Sequence, residues 1–280
     1  MCEGRGAAAA SRSRVTRVFC SLALLAAPLA VASRDAAKEW SVVNLRVSVL
    51  RLGTQRRAVL FARIVSAAPF PPRAFIDLAI KKKVLQFGEF TTKAGRKSPY
   101  FFNLGNFNDG ESLRELGKYY AQIIVNSNIE FDMIFGPAYK GIPLVSSIAI
   151  ALMEHNINIP YSFNRKEIKD HGEGGIIIGS PVRGRVLIID DVISAGTSIN
   201  EAVSIIDGND GSACGIIVAI DRQEKGAGDI SATQDVSNKF NIPTLSIITL
   251  DNIIEYLASQ NTFKNELKFI KEYRKEYGVN

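Results

Sequence analysis

From Arg73 onward, short apolar runs alternate with longer stretches of helical spacing. "RAFIDLAIKKKV" (73–84) and "LRELGKYYAQIIV" (Leu113–Val125) carry apolar residues three and four apart, which predicts helices. "FDMIF" (Phe131–Phe135) is a short continuous apolar run and predicts a buried strand. A helix follows over "GIPLVSSIAIALMEH" (141–155), then strands over "IPYSF" (Ile159–Phe163) and "VLII" (186–189). "SINEAVSIID" (198–207) predicts a helix, "GIIVAID" (Gly215–Asp221) and "PTLSIITL" (243–250) predict strands, and two helices close the chain. Apolar strands alternating with helices of ten or more residues predict an α/β fold with a central, mostly parallel, helix-covered sheet. No internal repeat interrupts the pattern after residue 70.

Before residue 70 the chain has a different character. Of the formal +6 charge, residues 1–70 hold 11 Lys/Arg and 3 Asp/Glu, a net of +8; residues 71–280 hold 23 and 25, a net of −2. The basic surplus is therefore a property of an N-terminal extension, residues 1–70, and not of the body, residues 71–280, which argues against a nucleic-acid partner. Arg12, Arg14 and Arg17 precede the apolar run "VFCSLALLAAPLAV", and "AVAS" (Ala30–Ser33) offers small residues for cleavage. That is the make-up of a targeting segment, secretory or organellar; an unselected, disordered extension is the plainer alternative. The run is too short and too alanine-rich for a membrane span. Cys2, Cys20 and Cys214 show neither pairing nor metal spacing, and two histidines, His155 and His171, cannot build a histidine-rich metal site. A reduced, cytoplasmic setting is expected, or an organelle if residues 1–70 direct the chain there.

In a sheet of this kind ligands sit beyond the carboxyl ends of the strands. "VLIIDDVISAGTSI" (Val186–Ile199) ends a strand in Asp190 and Asp191 and opens a helix through small and hydroxyl residues. Backbone N–H groups converging at a helix N-terminus, with Ala195 and Gly196 allowing close approach and Ser194, Thr197 and Ser198 adding hydroxyls, make a phosphate cradle. The loop lacks the Gly-Lys-Ser/Thr ending of a Walker loop. Two carboxylates would repel the same phosphate, so they are expected to face ribose hydroxyls. Together these features predict a ribose-5-phosphate site. "NRKEIKDHGEGG" places Arg165, Lys166, Lys169 and His171 within seven residues, followed by Gly172, Gly174 and Gly175 as hinges, which suits a flexible polyphosphate lid. "GPAYKG" after "FDMIF" shapes a tight loop offering amides and Lys140. Arg222, just past "GIIVAI", can pair bidentately with a carboxylate.

"VLIIDDVISAGTS" resembles the phosphoribosyl pyrophosphate (PRPP) motif of the type I phosphoribosyltransferases. "FGEFTTKAGRKSPYFFN" (Phe87–Asn103), "FDMIFGPAYKGIPL" (Phe131–Leu144), "FNRKEIKDHGEGG" (Phe163–Gly175) and "AIDRQEKG" (Ala219–Gly226) are similar, in order and spacing, to orotate phosphoribosyltransferases. The likeness spans about residues 74–280 and says nothing of residues 1–70. It implies the type I phosphoribosyltransferase fold with a small N-terminal hood, and transfer of the phosphoribosyl group of PRPP to orotate. It further implies that Asp190 and Asp191 hold the ribose and that Val192, Ile193, Ser194, Ala195, Gly196, Thr197 and Ser198 hold the 5′-phosphate. Tyr139, Lys140, Arg165 and Lys166 would meet pyrophosphate, with Lys169 and His171 acting on it as leaving group. Lys93, Phe101, Phe102 and Arg222 would take the base, the aromatic faces suiting a flat pyrimidine. The family works as a homodimer that shares the lid between subunits. Mg²⁺ is expected to ride on the substrate, since no closed carboxylate cage is visible and no protein metal ligands are assigned. A phosphoribosyltransferase for another base, and a non-catalytic PRPP-sensing regulator, are the alternatives; Lys93, Phe101, Phe102 and Arg222 weigh against the first, and the near-neutral body with an intact lid against the second.

Overall fold

The computed structural model describes residues 46–48, 61–63, 72–92, 95–169, 175–226 and 228–279. The chain divides into two units, Met1–Val65 and Ser66–Asn280, so the division falls five residues before the expected boundary at residue 70. In the first unit, β1 (Arg46–Ser48) pairs antiparallel with β2 (Phe61–Arg63), with Val47 opposite Ala62. The basic, apolar leader proposed for targeting lies outside the described residues.

The second unit opens with α1 (Pro72–Lys81), β3 (Leu85–Thr91) and β4 (Lys97–Phe102), the two strands forming an antiparallel hairpin. This is the expected hood. Then follow α2 (Gly110–Asn126), β5 (Met133–Gly136), α3 (Gly141–Met153), β6 (Tyr161–Lys169), β7 (Gly175–Gly179) and β8 (Arg183–Ile189). The chain continues through α4 (Thr197–Asp207), β9 (Asp210–Asp221), α5 (Ala232–Phe240), β10 (Thr244–Thr249), α6 (Leu250–Ala258) and α7 (Lys264–Tyr277). Six strands form one sheet in the order β10-β9-β8-β5-β6-β7, parallel throughout except for β7, which runs antiparallel to β6.

The central strands read as unbroken apolar runs because both of their faces are covered. Alternate residues feed two separate cores. Ile134, Leu187, Ile189, Ile217 and Ala219 join Leu116 and Tyr120 of α2, Val145 and Ile148 of α3 and Ile253 of α6. Met133, Phe135, Val186, Ile188, Ile216 and Val218 join Ile199, Ala202 and Ile206 of α4 and Val236 of α5 on the other face. Helix α2 is started by a capping box in which Asp109 accepts from Ser112 N and Ser112 returns the bond.

Three departures from the expected pattern have local causes. The first helix stops at Lys81 instead of continuing to Val84, because Lys83 turns with φ 55° and Val84 is buried at the entry to β3. The lid is not a plain loop. Strand β6 runs six residues past Phe163, the last residue paired with β5, and its far end pairs with β7 at Lys169–Gly175. The lid's arms are therefore a β-hairpin, with an irregularity between Asn164 and Lys169. Its exposed polar residues carry no alternating apolar pattern by which a strand is read. Helix α5 buries only Thr233 and Val236, too few apolar positions to declare a helix, although Ser231 and Gln234 form its capping box.

Ile188 is fully buried at the centre of the sheet and packs into the core under α4. Ile188→Ala should cost about 2–5 kcal/mol of unfolding free energy, the range for truncating a packed aliphatic side chain. Urea denaturation of both chains reads this directly; a loss below about 1 kcal/mol would mean that the site collapses around the cavity.

Candidate active site

Strand β8 ends in four fully buried residues, Val186 to Ile189, and delivers Asp190 and Asp191 at its tip, 5% and 8% exposed. Their backbone stays tied to the sheet: Asp190 N donates to Ile217 O (3.1 Å), and Asp191 O accepts from Ala219 N (3.0 Å). From α2, the Tyr120 hydroxyl donates to Asp190 O (2.8 Å). Asp190 Oδ1 accepts from Asp191 N (2.8 Å), and the Asp191 carboxylate is paired with the ammonium of Lys140. Burial, and then the charge of Asp191, push the Asp190 carboxyl up to about 7.

The next residues fasten the loop on both faces of the sheet. Val192 packs against one core, and Ile193, 6% exposed, sits in the other. The sequence places both in the phosphate loop; what they offer a ligand is backbone. Gly196 then takes the left-handed conformation (φ 71°) and serves as N-cap of α4 without any side-chain capping bond. A Cβ there would be strained and would lie 3.0 Å from Val236 Cγ2. Among the described residues, the N–H groups of Ser194 through Ser198 donate to no other group. Ser194, Ala195, Thr197 and Ser198 are exposed. An uncapped helix start with free amides and hydroxyls around it is an anion site.

The loop after β5 faces this one. Gly136 and Gly141 are stacked so closely that a Cβ on the first would lie 2.3 Å from Gly141 O, and one on the second 2.5 Å from Gly136 C. The backbone doubles back within five residues, and α3 starts at once with Lys140 as an N-cap that makes no side-chain capping bond. Ala138 N donates to the side chain of the buried Asn164 (2.8 Å), which moors the loop to β6. Tyr139 is 69% exposed. Strands β5 and β8 are neighbours, but the connection from β5 runs toward β6 and that from β8 toward β9. This is the topological switch point where open α/β sheets bind ligands, and the Lys140–Asp191 pair bridges it.

Other expected residues flank this centre. Arg165 and Lys166 line a cavity of about 520 Å³ between the hairpin and α4, together with Thr197 and Glu201. Lys166 Nζ is 2.8 Å from Glu201 Oε2. The backbone of Lys169 pairs with Gly175 in the hairpin; His171 lies outside the described residues, as does Lys93. Arg222 follows β9 and is largely buried, its guanidinium 4.5 Å from the ring centre of Tyr100. It bonds Glu224 through Nε (2.7 Å) and Nη2 (2.6 Å), and Ser98 Oγ through Nη2 (3.3 Å). The two phenylalanines diverge. Phe101 is 42% exposed and stacks on Phe90 at 5.3 Å, whereas Phe102 is 8% exposed and belongs to the core. The expectation that both rings face a flat base therefore needs correcting: alternation along β4 turns the Phe102 ring inward. Tyr120, Asn164, Ser98 and Glu224 also take part, and the sequence carries little sign of them. Tyr120 reads as an ordinary apolar position of α2, and the others carry no local motif. Among the described residues no three His, Cys, Asp or Glu come together as a metal site, and no helix is long and apolar enough to cross a membrane.

A doubly covered parallel sheet with a phosphate cradle and an acidic pair at its switch point defines a phosphoribosyltransferase, and the phosphoribosyl transferase domain family matches residues 104–243. The chain is 55% identical over 205 residues to the orotate phosphoribosyltransferase of Thiobacillus denitrificans, covering 73% of this chain and 97% of that one. It is 53% identical over 208 residues to that of Escherichia coli K12 / DH10B, covering 74% and 98%. The crystal structure of orotate phosphoribosyltransferase from Francisella tularensis superposes with a TM-score of 0.68 at 44% identity, covering 74% of this chain and all of that one. The chain belongs to the orotate phosphoribosyltransferase family.

The acidic pair has a consequence for stability. A carboxyl near 7 in the fold and about 3.9 in the unfolded chain makes the folded state bind more protons between those values. The contribution is full below about pH 4 and is lost as pH rises through about 7. Asp190→Asn stays neutral, so its Tm relative to wild type should rise between about pH 4.5 and pH 8. A difference that does not change with pH would show that Asp190 is already ionised in the fold.

Proposed function

We propose that the chain transfers the 5-phosphoribosyl group of PRPP to orotate at this site, releasing pyrophosphate and forming orotidine 5′-monophosphate, with the residue roles set out below. The observation that carries these roles is the buried Asp190–Asp191 pair beside the uncapped start of α4, facing Lys140 across the switch point. The loop from Val192 to Ser198 takes the 5′-phosphate on the free amides and hydroxyls of Ser194 to Ser198. Asp190 and Asp191 accept from the ribose hydroxyls. Pyrophosphate draws the Lys140 ammonium away from Asp191, so the substrate satisfies both halves of an ion pair that it separates. Tyr139, Arg165, Lys166, Lys169 and His171 complete the pyrophosphate side. The base lies by Arg222, Lys93 and the Phe101–Phe102 segment, with the Arg222 guanidinium meeting the orotate carboxylate.

As pyrophosphate departs, the anomeric carbon becomes cationic and negative charge grows on the leaving group. Catalysis then rests on positioning and on cations aimed at the pyrophosphate. Mg²⁺ enters as part of the substrate, bound to PRPP oxygens. The donor set supports this, because the acidic pair supplies two carboxylates, one of them engaged by Lys140. The chain acts in the cytoplasm unless residues 1–70 direct it to an organelle.

The active unit is a two-fold homodimer in which each lid covers the partner's site. The six residues from Asn164 to Lys169 run past the last pairing with β5 for about 20 Å at strand spacing, a reach that supports delivery of lid cations to a neighbour.

Two experiments test this reading. The purified chain should consume orotate only when PRPP and Mg²⁺ are both present; conversion of adenine, hypoxanthine or uracil with orotate untouched would overturn the base assignment. For the lid, an inactive Lys169→Ala chain is mixed with an inactive Asp190→Asn/Asp191→Asn chain. Random exchange makes about half the dimers mixed, each with one intact site, so about a quarter of wild-type activity should return. Verified exchange without recovery would assign each lid to its own subunit.

A further inference from the structure

Arg222 is buried, and a buried guanidinium must have its charge and its hydrogen bonds met. Glu224 meets both through a single oxygen. Its Oε1 accepts from Arg222 Nε and Nη2 and from the Tyr100 hydroxyl (3.3 Å). Nε and Nη2 form one edge of the planar guanidinium, so that edge is taken. On the other edge Nη2 also reaches Ser98 Oγ, while Nη1 has no partner among the described residues. The ring of Tyr100 covers a face at 4.5 Å. The guanidinium is thus fixed in plane, in tilt and in rotation, and its Nη1–Nη2 edge carries only the 3.3 Å contact from Nη2 to Ser98 Oγ, which an incoming carboxylate must take over.

The segment carrying this pair is itself held from two sides. Lys225 N donates to Tyr277 O (2.8 Å) and Val279 N to Gln223 O (2.9 Å), which ties it to the end of α7. The Arg96 guanidinium donates to Lys225 O (3.1 Å) from the hood. Tyr273 of α7 packs edge-on against Tyr100 at 6.2 Å, and its buried hydroxyl lies beside Glu224 and Arg222. Glu224 is therefore no surface partner that solvent could replace: its side chain is 16% exposed.

We propose that Glu224 is a positioning residue for base recognition: it holds the Arg222 guanidinium so that its Nη1–Nη2 edge meets the carboxylate of the incoming base in place of Ser98 Oγ. This rests on the reading of Arg222 as the group that binds that carboxylate. Glu224 touches neither substrate nor reacting atoms, so it acts on the KM for orotate and not on the chemical step. A bidentate contact depends on the orientation of the fork, which a carboxylate on the opposite edge fixes.

The test uses the full chain and Glu224→Gln, which keeps shape and one acceptor oxygen but loses the charge. KM for orotate should rise about tenfold, while kcat and KM for PRPP stay within about twofold, the signature of an interaction lost equally from ground and transition states. Arg222→Gln should raise KM for orotate about a hundredfold, and adding Glu224→Gln to it should change nothing further, because the carboxylate acts only through the guanidinium. If Glu224→Gln leaves KM for orotate within twofold while Arg222→Gln raises it, the positioning role is overturned and the base assignment stands. If Glu224→Gln raises KM for PRPP as much as for orotate and lowers Tm, the residue is merely structural. If Arg222→Gln leaves KM for orotate unchanged, the assignment of Arg222 falls and this proposal with it.

Discussion

The site depends on one costly arrangement: two adjacent carboxyl groups buried at the tip of the central strand β8. Burying an unpaired charge costs several kcal/mol or more, so the surroundings must meet it. They do so from two elements: Lys140 from the loop after β5 pairs with the Asp191 carboxylate, and the Asp191 amide at the strand end donates to the Asp190 carboxyl, while the Tyr120 hydroxyl of α2 holds the Asp190 backbone carbonyl in place. The rise of the Asp190 carboxyl to about 7 is what remains unmet. Natural folds tolerate such a residue of strain where a ligand relieves it, and ribose hydroxyls beside a pyrophosphate that claims Lys140 would do so.

The rest of the fold can be understood as holding these parts in register. Parallel pairing of β5 with β8 brings the two loops together, and the reversal of chain direction at that point opens the crevice between them. Val192 and Ile193 pin the phosphate loop into opposite cores, so the backbone that faces a ligand is rigid without any side chain crossing the cradle. The stacked glycines Gly136 and Gly141 let the facing loop turn within five residues. At the base end the hood, the β9 loop and α7 converge on Arg222, three regions far apart in sequence.

Much of this is legible in the chain because the signals are local. "VLIIDDVISAGTS" reports strand, acidic pair, cradle and helix start in consecutive residues, and the apolar runs of β5, β8 and β9 are continuous because both faces are covered. What is not legible is contributed from a distance. Tyr120 lies seventy residues from the carbonyl it bonds, and Arg222 meets Ser98 across 124 residues. The lid hairpin leaves no such signal, because a strand that projects beyond its neighbour β5 has no buried face to impose alternation. Phe101 and Phe102 look equivalent as a pair, and only the strand's pleat separates an exposed ring from a core one.

A crystal structure of the full chain with PRPP would show whether the acidic pair and the α4 cradle bind one PRPP molecule by exchanging Lys140 for ribose hydroxyls. The 5′-phosphate should lie on the amides of the Val192–Ser198 loop and the ribose hydroxyls on Asp190 and Asp191, with Lys140 turned from Asp191 to the pyrophosphate. PRPP bound with Lys140 still on Asp191, or with its ribose away from the acidic pair, would contradict this mode of binding.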